Sequence, residues 1–192
     1  MILQPISRSQ RSVGILALPD GTAVAYRRIQ ATDAEALQRF HDTLSPNTVH
    51  QRFFGAMPHL GDAMAEMFTH VDGKDRVALV ALDPTDATSI IGVTRYDRMG
   101  KSREAEYACV ITDRWHGRGL GTALTVELIN AARERGLKTL DAVILADNRA
   151  MIELLINLGL PYSMAWEDNT TVLSLDISGS EPAGYSPPQA QS

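Results

Sequence analysis

A glycine-studded turn between a strand and a helix constrains this chain more than any other stretch. The pattern predicts a strand over 104–112 and, after the turn, a helix that ends near Arg135. In the turn, Gly117, Gly119 and Gly121 stand at every second position. A helix begins with unpaired amides and the positive end of its dipole, and glycine has no Cβ to hinder an approaching ligand. The turn therefore predicts a site for a large anion such as a diphosphate.

The glycine spacing excludes the two common nucleotide-binding loops. Here it is G-x-G-x-G, whereas a dinucleotide loop has G-x-G-x-x-G and an acidic strand end about twenty residues later. A mononucleotide loop ends in Gly-Lys-Ser/Thr, but Gly121 is followed directly by Thr122. A plain turn that needs glycine only for its backbone conformation remains the alternative.

Composition indicates a single globular domain in a reducing compartment. The 192 residues can bury a core without the help of disulfide bonds or a structural metal, and a hydrophobic fraction of 44% excludes general disorder. The single cysteine, Cys109, excludes a disulfide framework and a cysteine-ligated zinc site. No basic leader with an apolar run opens the chain, and no stretch approaches the roughly 18 apolar residues of a membrane helix. We therefore expect a soluble, cytoplasmic protein with no membrane partner.

The charged residues argue against a nucleic-acid partner and a metal site. The formal net charge is −5, and no basic cluster is longer than Arg27-Arg28. His50, His59 and His70 lack the spacing of metal ligands, so we expect no metal. The sequence leaves the oligomeric state open, a homodimer included.

Periodicity, caps and turn residues predict one domain over 20–178, with a loose arm over 1–19 and a disordered tail over 179–192. A capping box at Thr32 and the pair Ser45-Pro46 predict two helix starts, and Gly55 is predicted to end the second helix. The unit from 104 to 146 is strand, helix, strand, which predicts a parallel crossover. The predicted strands are 15–18, 22–29, 76–82, 89–96, 104–112, 139–146, 162–166 and 170–177; the predicted helices are 32–44, 46–54, 62–69, 120–135 and 151–158.

Three motifs resemble those of the GNAT family of N-acetyltransferases. The stretch H-x-x-G-x-G, from His116 to Gly121, is similar to the family's pyrophosphate signature Q/R-x-x-G-x-G/A, although His116 replaces the usual first residue. The segments L-S-P-N-T-V-H-Q-R-F-F-G, 44–55, and D-N-R-A-M, 147–151, are similar to stretches of the bacterial Pat-type protein lysine acetyltransferases. The resemblance covers roughly 22–177. It implies an α/β (α+β) fold, with a central, mixed and mostly antiparallel sheet flanked by helices.

The resemblance also implies acetyl-CoA as cosubstrate. The pyrophosphate would be held by the turn, whose residues are His116, Gly117, Arg118, Gly119, Leu120, Gly121 and Thr122. The backbone of Cys109, Val110 and Ile111 would bind the pantetheine arm and polarise the thioester, on a strand that a bulge splays from its neighbour. Asn148 would add a hydrogen bond to the pantetheine. From the residues alone, Val110 and Ile111 suit plain sheet core, Asn148 suits a helix cap, and Arg118 suits either a phosphate or solvent.

Glu106 is the predicted general base. A lysine ammonium has a pKa of about 10.4, so only about one in a thousand is a free amine at neutral pH, and a base in the site helps. Strand alternation puts Glu106 on one face with Glu104, and the resemblance assigns the base to this position. We expect it to be half-buried, which raises a carboxylate's pKa toward the working pH. The alternative is a solvated residue paired to Arg95 or Arg103.

Other side chains have open interpretations. Cys109 could be a nucleophile, but no histidine can be placed beside it, and a small buried residue is the better explanation. Leu155 stands where many family members have the tyrosine that protonates the leaving thiolate, so we assign no general acid. Arg52, Phe53 and Phe54 could shape substrate entry, with core packing as the alternative for the two phenylalanines.

The resemblance favours a protein lysine side chain as the amine acceptor. A small amine, such as a polyamine, an amino acid or an aminoglycoside, is the alternative, and an acidic groove lined by Glu104, Glu106 and the region of Asp62 would favour it. A non-catalytic acyl-CoA-binding module that regulates a partner is the alternative outside the enzymes. Pat-type proteins join this domain to a regulatory domain, which no stretch of this chain resembles, and we expect a stand-alone domain.

Overall fold

The computed structural model describes residues 13–179 and 181–182, which form one eight-stranded sheet and five α-helices. The strands are β1 Gly14–Ala17, β2 Ala23–Arg28, β3 Arg76–Asp83, β4 Asp86–Arg98, β5 Glu104–Ile111, β6 Thr139–Leu145, β7 Tyr162–Glu167 and β8 Thr170–Asp176. The helices are α1 Ala34–Asp42, α2 Pro46–Phe53, α3 Asp62–Thr69, α4 Leu120–Glu134 and α5 Arg149–Ile156.

The sheet is mixed and mostly antiparallel, as predicted. Its strand order is β1-β2-β3-β4-β5-β6-β8-β7. Every neighbouring pair is antiparallel except β5 and β6, which α4 connects as a parallel crossover. The short turns between β3, β4 and β5 produce the antiparallel meander, since such links cannot join parallel strands.

Two hydrophobic cores lie on the two faces of the sheet, because alternate residues of β3 enter different cores: Val77, Leu79 and Ala81 enter one, and Ala78, Val80 and Leu82 enter the other. The larger core is covered by α4, whose Leu120, Leu124 and Leu128 are fully buried at helical spacing. The smaller core is covered by α1 and α3. None of the helices described here has the length and apolarity needed to cross a membrane.

The first strand lies where the sequence predicts one, over 15–18. Residues 14–17 form β1, inside the predicted loose arm, and Leu16 of this strand is fully buried in the larger core. The hairpin turn at Asp20-Gly21 makes this possible, because it returns the chain to pair β2 with β1. Residues 1–12 of the predicted arm, and 180 and 183–192 of the predicted tail, lie outside the described residues.

Two helix ends differ from the sequence prediction. The capping box is formed by Asp33 and not by Thr32. Asp33 Oδ2 accepts a hydrogen bond from the Gln30 amide at 2.7 Å, and Arg27 forms an ion pair with the same carboxylate. A 3-10 turn, Ala31–Asp33, therefore precedes α1. We expected Gly55 to end α2, but the helix ends at Phe53, and Phe54 takes the left-handed conformation with φ 61°.

Candidate active site

A cavity of about 880 Å³ opens where β5 and β6 part. The two strands pair only over Glu104–Glu106 and Thr139–Asp141, and their remaining halves line the cavity with the glycine turn and α5. Residues of α2 and α3 also line the cavity. The predicted splay is therefore present. The predicted bulge is not found in the pairing of β5 with β4, which runs without a register shift.

The splay frees one set of β5 backbone groups. The Ile111 carbonyl accepts a hydrogen bond from His116 Nε2 at 2.8 Å, whereas the Thr112 amide next to it donates to β4. Because backbone groups alternate along an antiparallel strand, those of Cys109 and Ile111 face the splay, and those of Val110 face β4. The expected backbone role therefore fits Cys109 and Ile111 but not Val110, although Val110 lines the cavity.

His116 braces the start of the glycine turn. A carbonyl oxygen can only accept, so the hydrogen of this bond resides on Nε2. The ring thereby connects the turn to the last residue of β5. The hydrogen bond holds the strand and the turn together.

The turn itself has the geometry of an anion cradle. Gly117 and Gly119 have φ values of 69° and 82°, which side chains rarely adopt, and Gly119 precedes the first residue of α4. A plain turn would also need these angles. In this structure, however, six of the seven predicted turn residues line the cavity: His116, Gly117, Gly119, Leu120, Gly121 and Thr122.

Arg118 is the exception among the turn residues. Its guanidinium donates to Asp20 Oδ2 at 2.7 and 3.1 Å and to the Thr22 hydroxyl at 3.0 Å, and it stacks 4.1 Å from the Trp115 ring. Hydrogen bonds from Thr22 and Arg118 lower the pKa of Asp20 to about 2. The side chain therefore ties the turn to the β1–β2 hairpin and is not among the residues that line the cavity.

Glu106 lies in the cavity as an exposed and unpaired carboxylate. It has no hydrogen bond or ion pair with any described residue, so the alternative of pairing with Arg95 or Arg103 is wrong. It is exposed and not half-buried. Of the expected acidic groove, only Glu106 lines the cavity; Glu104 and Asp62 do not.

The environment of Cys109 excludes the nucleophile hypothesis. The side chain is buried, and burial raises the pKa of its thiol to about 11. It is therefore a neutral thiol near pH 7, and thiolates rather than thiols are nucleophiles. Over 13–179 and 181–182, no group of three or more histidine, cysteine, aspartate or glutamate side chains is placed to hold a metal ion.

The start of α5 presents one amide side chain to the cavity. Asn148 Oδ1 accepts from the Met151 amide at 3.1 Å, so the helix-cap interpretation is confirmed. Its side-chain nitrogen has no hydrogen-bond partner among the described residues, and Asn148 lines the cavity. Leu155 is fully buried in the larger core, which leaves its position without an acid.

Sequence analysis missed a charged cluster at the α2–α3 end of the cavity. Arg95 Nε donates to Asp97 Oδ2 at 2.8 Å, and Arg76 Nε donates to Asp97 Oδ1 at 2.9 Å. Burial alone would raise the pKa of Asp97, but the bonds from Arg95 and Arg76 lower it. Asp97 lies opposite Glu106 in the β4–β5 register. Arg95 and Asp97 stand two positions apart, which on a strand places both side chains on one face. This spacing, on a strand next to that of Glu106, would have indicated the cluster.

Comparison with known families identifies the fold and the type of chemistry. A family model described as acetyltransferase (GNAT) domain matches residues 24–161. The chain belongs to the GNAT family. Membership makes it an acyltransferase, and GNAT enzymes use acetyl-CoA as cosubstrate. The eight-stranded sheet and its splay are thus those of a GNAT domain.

Two similar proteins support the same assignment to the GNAT family. Acetyltransferase PA5475 of Pseudomonas aeruginosa is 32% identical over 158 residues, which are 82% of this chain and 85% of that protein. The crystal structure of the GNAT domain of S. lividans PAT is 32% identical, with a TM-score of 0.80, and the match covers 85% of this chain and 96% of that domain.

A third structure shares the fold alone. The cAMP-binding acyltransferase from Mycobacterium smegmatis is 23% identical, with a TM-score of 0.61. The match covers 86% of this chain but only 47% of that one. This GNAT chain therefore spans about half the length of the Mycobacterium smegmatis protein.

Proposed function

We propose that this protein transfers acetyl from acetyl-CoA to a primary amine by direct attack, and that the amine is a protein lysine side chain. One observation carries the proposal. A single cavity joins the glycine turn, the freed backbone of β5 and the unpaired carboxylate of Glu106. These are the groups needed to hold a diphosphate, to orient a thioester and to accept a proton.

The residues of the cavity fit the parts of acetyl-CoA. The amides after Gly119 open α4, a helix of 15 residues, and suit the pyrophosphate through both their hydrogens and the helix dipole. The unpartnered Asn148 nitrogen and the Cys109 backbone suit the amide groups of the pantetheine. The Ile111 carbonyl is occupied by His116, so Ile111 contributes its amide.

Glu106 is the group that takes the proton from the attacking amine. Its carboxylate has no partner to displace, and it lies on the same strand as the backbone groups that would hold the thioester. A backbone amide directed at the developing oxyanion is worth roughly 3 kcal/mol by analogy with other acyl transfers. Cys109 is a buried thiol, so the proposed direct attack passes through no acyl-enzyme at this residue. Leu155 supplies no acid, so the thiolate leaves without a proton from that position.

The rim of the cavity supports a protein acceptor. Phe54 and Met67 line the α2–α3 end and are 45% and 48% exposed. Exposed apolar side chains beside a cleft are typical of surfaces that contact another protein. The segment from 44 to 55, which resembles the Pat-type enzymes, contributes Phe54 to this rim. Glu104 and Asp62, expected in an acidic groove that would favour a polyamine, do not line the cavity; its carboxylates are those of Asp97, Glu106, Asp141 and Glu153.

The test incubates isotope-labelled acetyl-CoA with the protein and a desalted lysate of its host, with mass spectrometry of intact proteins and small molecules. Label on lysines of particular proteins, lost with Glu106→Gln but kept with the control Glu104→Gln, supports the proposal. Label only in a small amine contradicts the protein acceptor. Tight binding of acetyl-CoA with label nowhere contradicts the enzyme and favours a binding module.

A further inference from the structure

Arg52 is a charged side chain that has no hydrogen-bond or ion-pair partner among the described residues. It lies on the last turn of α2, is half-buried, and lines the cavity. Its guanidinium carbon lies 5.0 Å from the Phe53 ring centroid. It makes no hydrogen bond or ion pair with any described residue. A guanidinium has five N–H donors, and partial burial without acceptors is costly.

The carboxylate that acts on Arg52 most strongly is already bonded to other arginines. Asp97 is the carboxylate whose charge acts on it most strongly, but Asp97 already accepts bonds from Arg76 and Arg95. Desolvation and repulsion from Arg95 lower the pKa of Arg52, as expected for a cation with too few counter-charges. Asp97 is thus already shared by two guanidinium groups and makes no bond to Arg52.

The same cavity contains carboxylates without a partner among the described residues: Glu106, Asp141 and Glu153. Glu106 is the one that the proposed function assigns to the amine. Glu106, on β5, is the proposed base for the attacking amine, and Arg52 lies on a different element, α2, that lines the same cavity. The two unpaired charges have opposite sign. A ligand that satisfies both has an ammonium at one end and an anionic group at the other.

We propose that Arg52 binds a carboxylate carried by the acceptor, so that the acceptor is an amine with a carboxylate nearby in the same molecule. This inference rests on the proposed function, because it assigns Glu106 to the amine. The carboxylate is either the acidic side chain of a residue beside the target lysine or the free carboxylate of an amino acid. A planar guanidinium suits both, since it can donate two parallel hydrogen bonds to one carboxylate.

The test compares matched acceptors that differ in one charge. Nα-acetyl-lysine is paired with its carboxamide, and a blocked Gly-Lys-Asp peptide is paired with blocked Gly-Lys-Asn. Steady-state kinetics of the wild type should show a KM for each acid about 10- to 100-fold below that for its amide, the range expected for hydrogen bonds between charged groups. The first pair reports a free carboxylate, and the second reports an acidic neighbour in a protein.

Variants then assign the preference to Arg52. Arg52→Gln should remove the preference for the acid and leave the KM for acetyl-CoA unchanged, and Arg52→Lys should keep only part of it. Arg39→Gln, at an arginine whose side chain is 63% exposed outside the cavity, is the matched control and should behave as the wild type. Circular dichroism checks the fold, and Arg52→Lys decides the matter if Arg52→Gln is unfolded.

Three outcomes overturn the inference. They are equal KM values for acid and amide in the wild type, a preference that survives Arg52→Gln, and an Arg52 effect seen only when succinyl-CoA replaces acetyl-CoA. If no acceptor is acetylated, the proposed function fails. The role of Arg52 is then tested separately, by measuring how the acids and the amides bind to the protein. Saturation-transfer NMR with coenzyme A present then tests whether the wild type binds the acids better than the amides and loses this in Arg52→Gln; equal or absent binding overturns the inference.

Discussion

The carboxylate of Asp113 accepts two hydrogen bonds from Ser45, one from the backbone amide at 2.9 Å and one from the hydroxyl at 2.6 Å. The Thr48 hydroxyl adds a third bond at 2.9 Å. Ser45 also caps α2, and Asp113 begins the short 3-10 turn that leads to the glycines. The segment L-S-P-N-T therefore connects the helix that carries Arg52 to the turn that would hold the cofactor.

This connection should contribute measurably to stability. Asp113→Asn weakens three charge-assisted bonds, so the free energy of unfolding should fall by about 1–3 kcal/mol. Ser45→Ala removes the cap and should cost about 1 kcal/mol. Urea unfolding of both single variants and the double variant measures their coupling. A coupling energy near zero would contradict a direct Ser45–Asp113 interaction.

The same contact predicts a pH dependence. Burial alone would raise the pKa of Asp113, but the bonds from Ser45 and Thr48 lower it. Because the folded-state pKa is depressed, the contribution to stability is present above the unfolded pKa of about 3.9 and is lost as the pH falls through the folded value. The difference in unfolding free energy between wild type and Asp113→Asn should therefore shrink below about pH 4. A difference that stays constant from pH 7 to pH 3 would contradict this origin.

Glu106→Gln should separate catalysis from cofactor binding. The amide cannot take a proton, so kcat should fall by about 10²- to 10⁴-fold. The dissociation constant for acetyl-CoA, from calorimetry, should stay the same. Glu104→Gln, on the same strand but not among the residues that line the cavity, is the control and should keep its activity. Unchanged turnover in Glu106→Gln would show that another group is the base.

Gly117→Ala should weaken coenzyme A binding beyond any general loss of stability. Gly117 and Gly100 have φ values of 69° and 62°, and a Cβ built on either would meet no atom within 4 Å. Alanine at either position should therefore cost a similar 1–2 kcal/mol of stability. Only Gly117 lines the cavity, so only Gly117→Ala should raise the dissociation constant for coenzyme A. Equal affinity in the two variants would contradict the pyrophosphate site.

Cys109→Ser should retain activity within a few-fold of wild type. The thiol is buried with a pKa of about 11, so it is not charged at neutral pH and is not needed for direct attack. For the same reason, alkylation of the native protein by iodoacetamide near pH 7 should be slow, and it should accelerate in denaturant. Rapid inactivation of the native protein by alkylation would contradict this environment.

Local features of the sequence predicted much of the fold. The bounds of α3 agree with the prediction at both ends, and Ser45 caps α2 as expected. Period, caps and glycines act within a few residues, so they are visible in one stretch of sequence. The end of α2 at Phe54 was missed because its left-handed conformation does not follow from local propensity.

The sequence by itself determined the glycine turn, the strand that leads into it and the placement of Glu106 on that strand, because these depend on neighbouring residues. The tertiary structure decided which charges are paired. Arg118 binds Asp20 across 98 positions of sequence, and Arg76 binds Asp97 across 21, while Arg52 and Glu106 stay unpaired within the described chain. Electrostatic pairing depends on distance in space and on burial, which only the packing of the sheet against its helices sets.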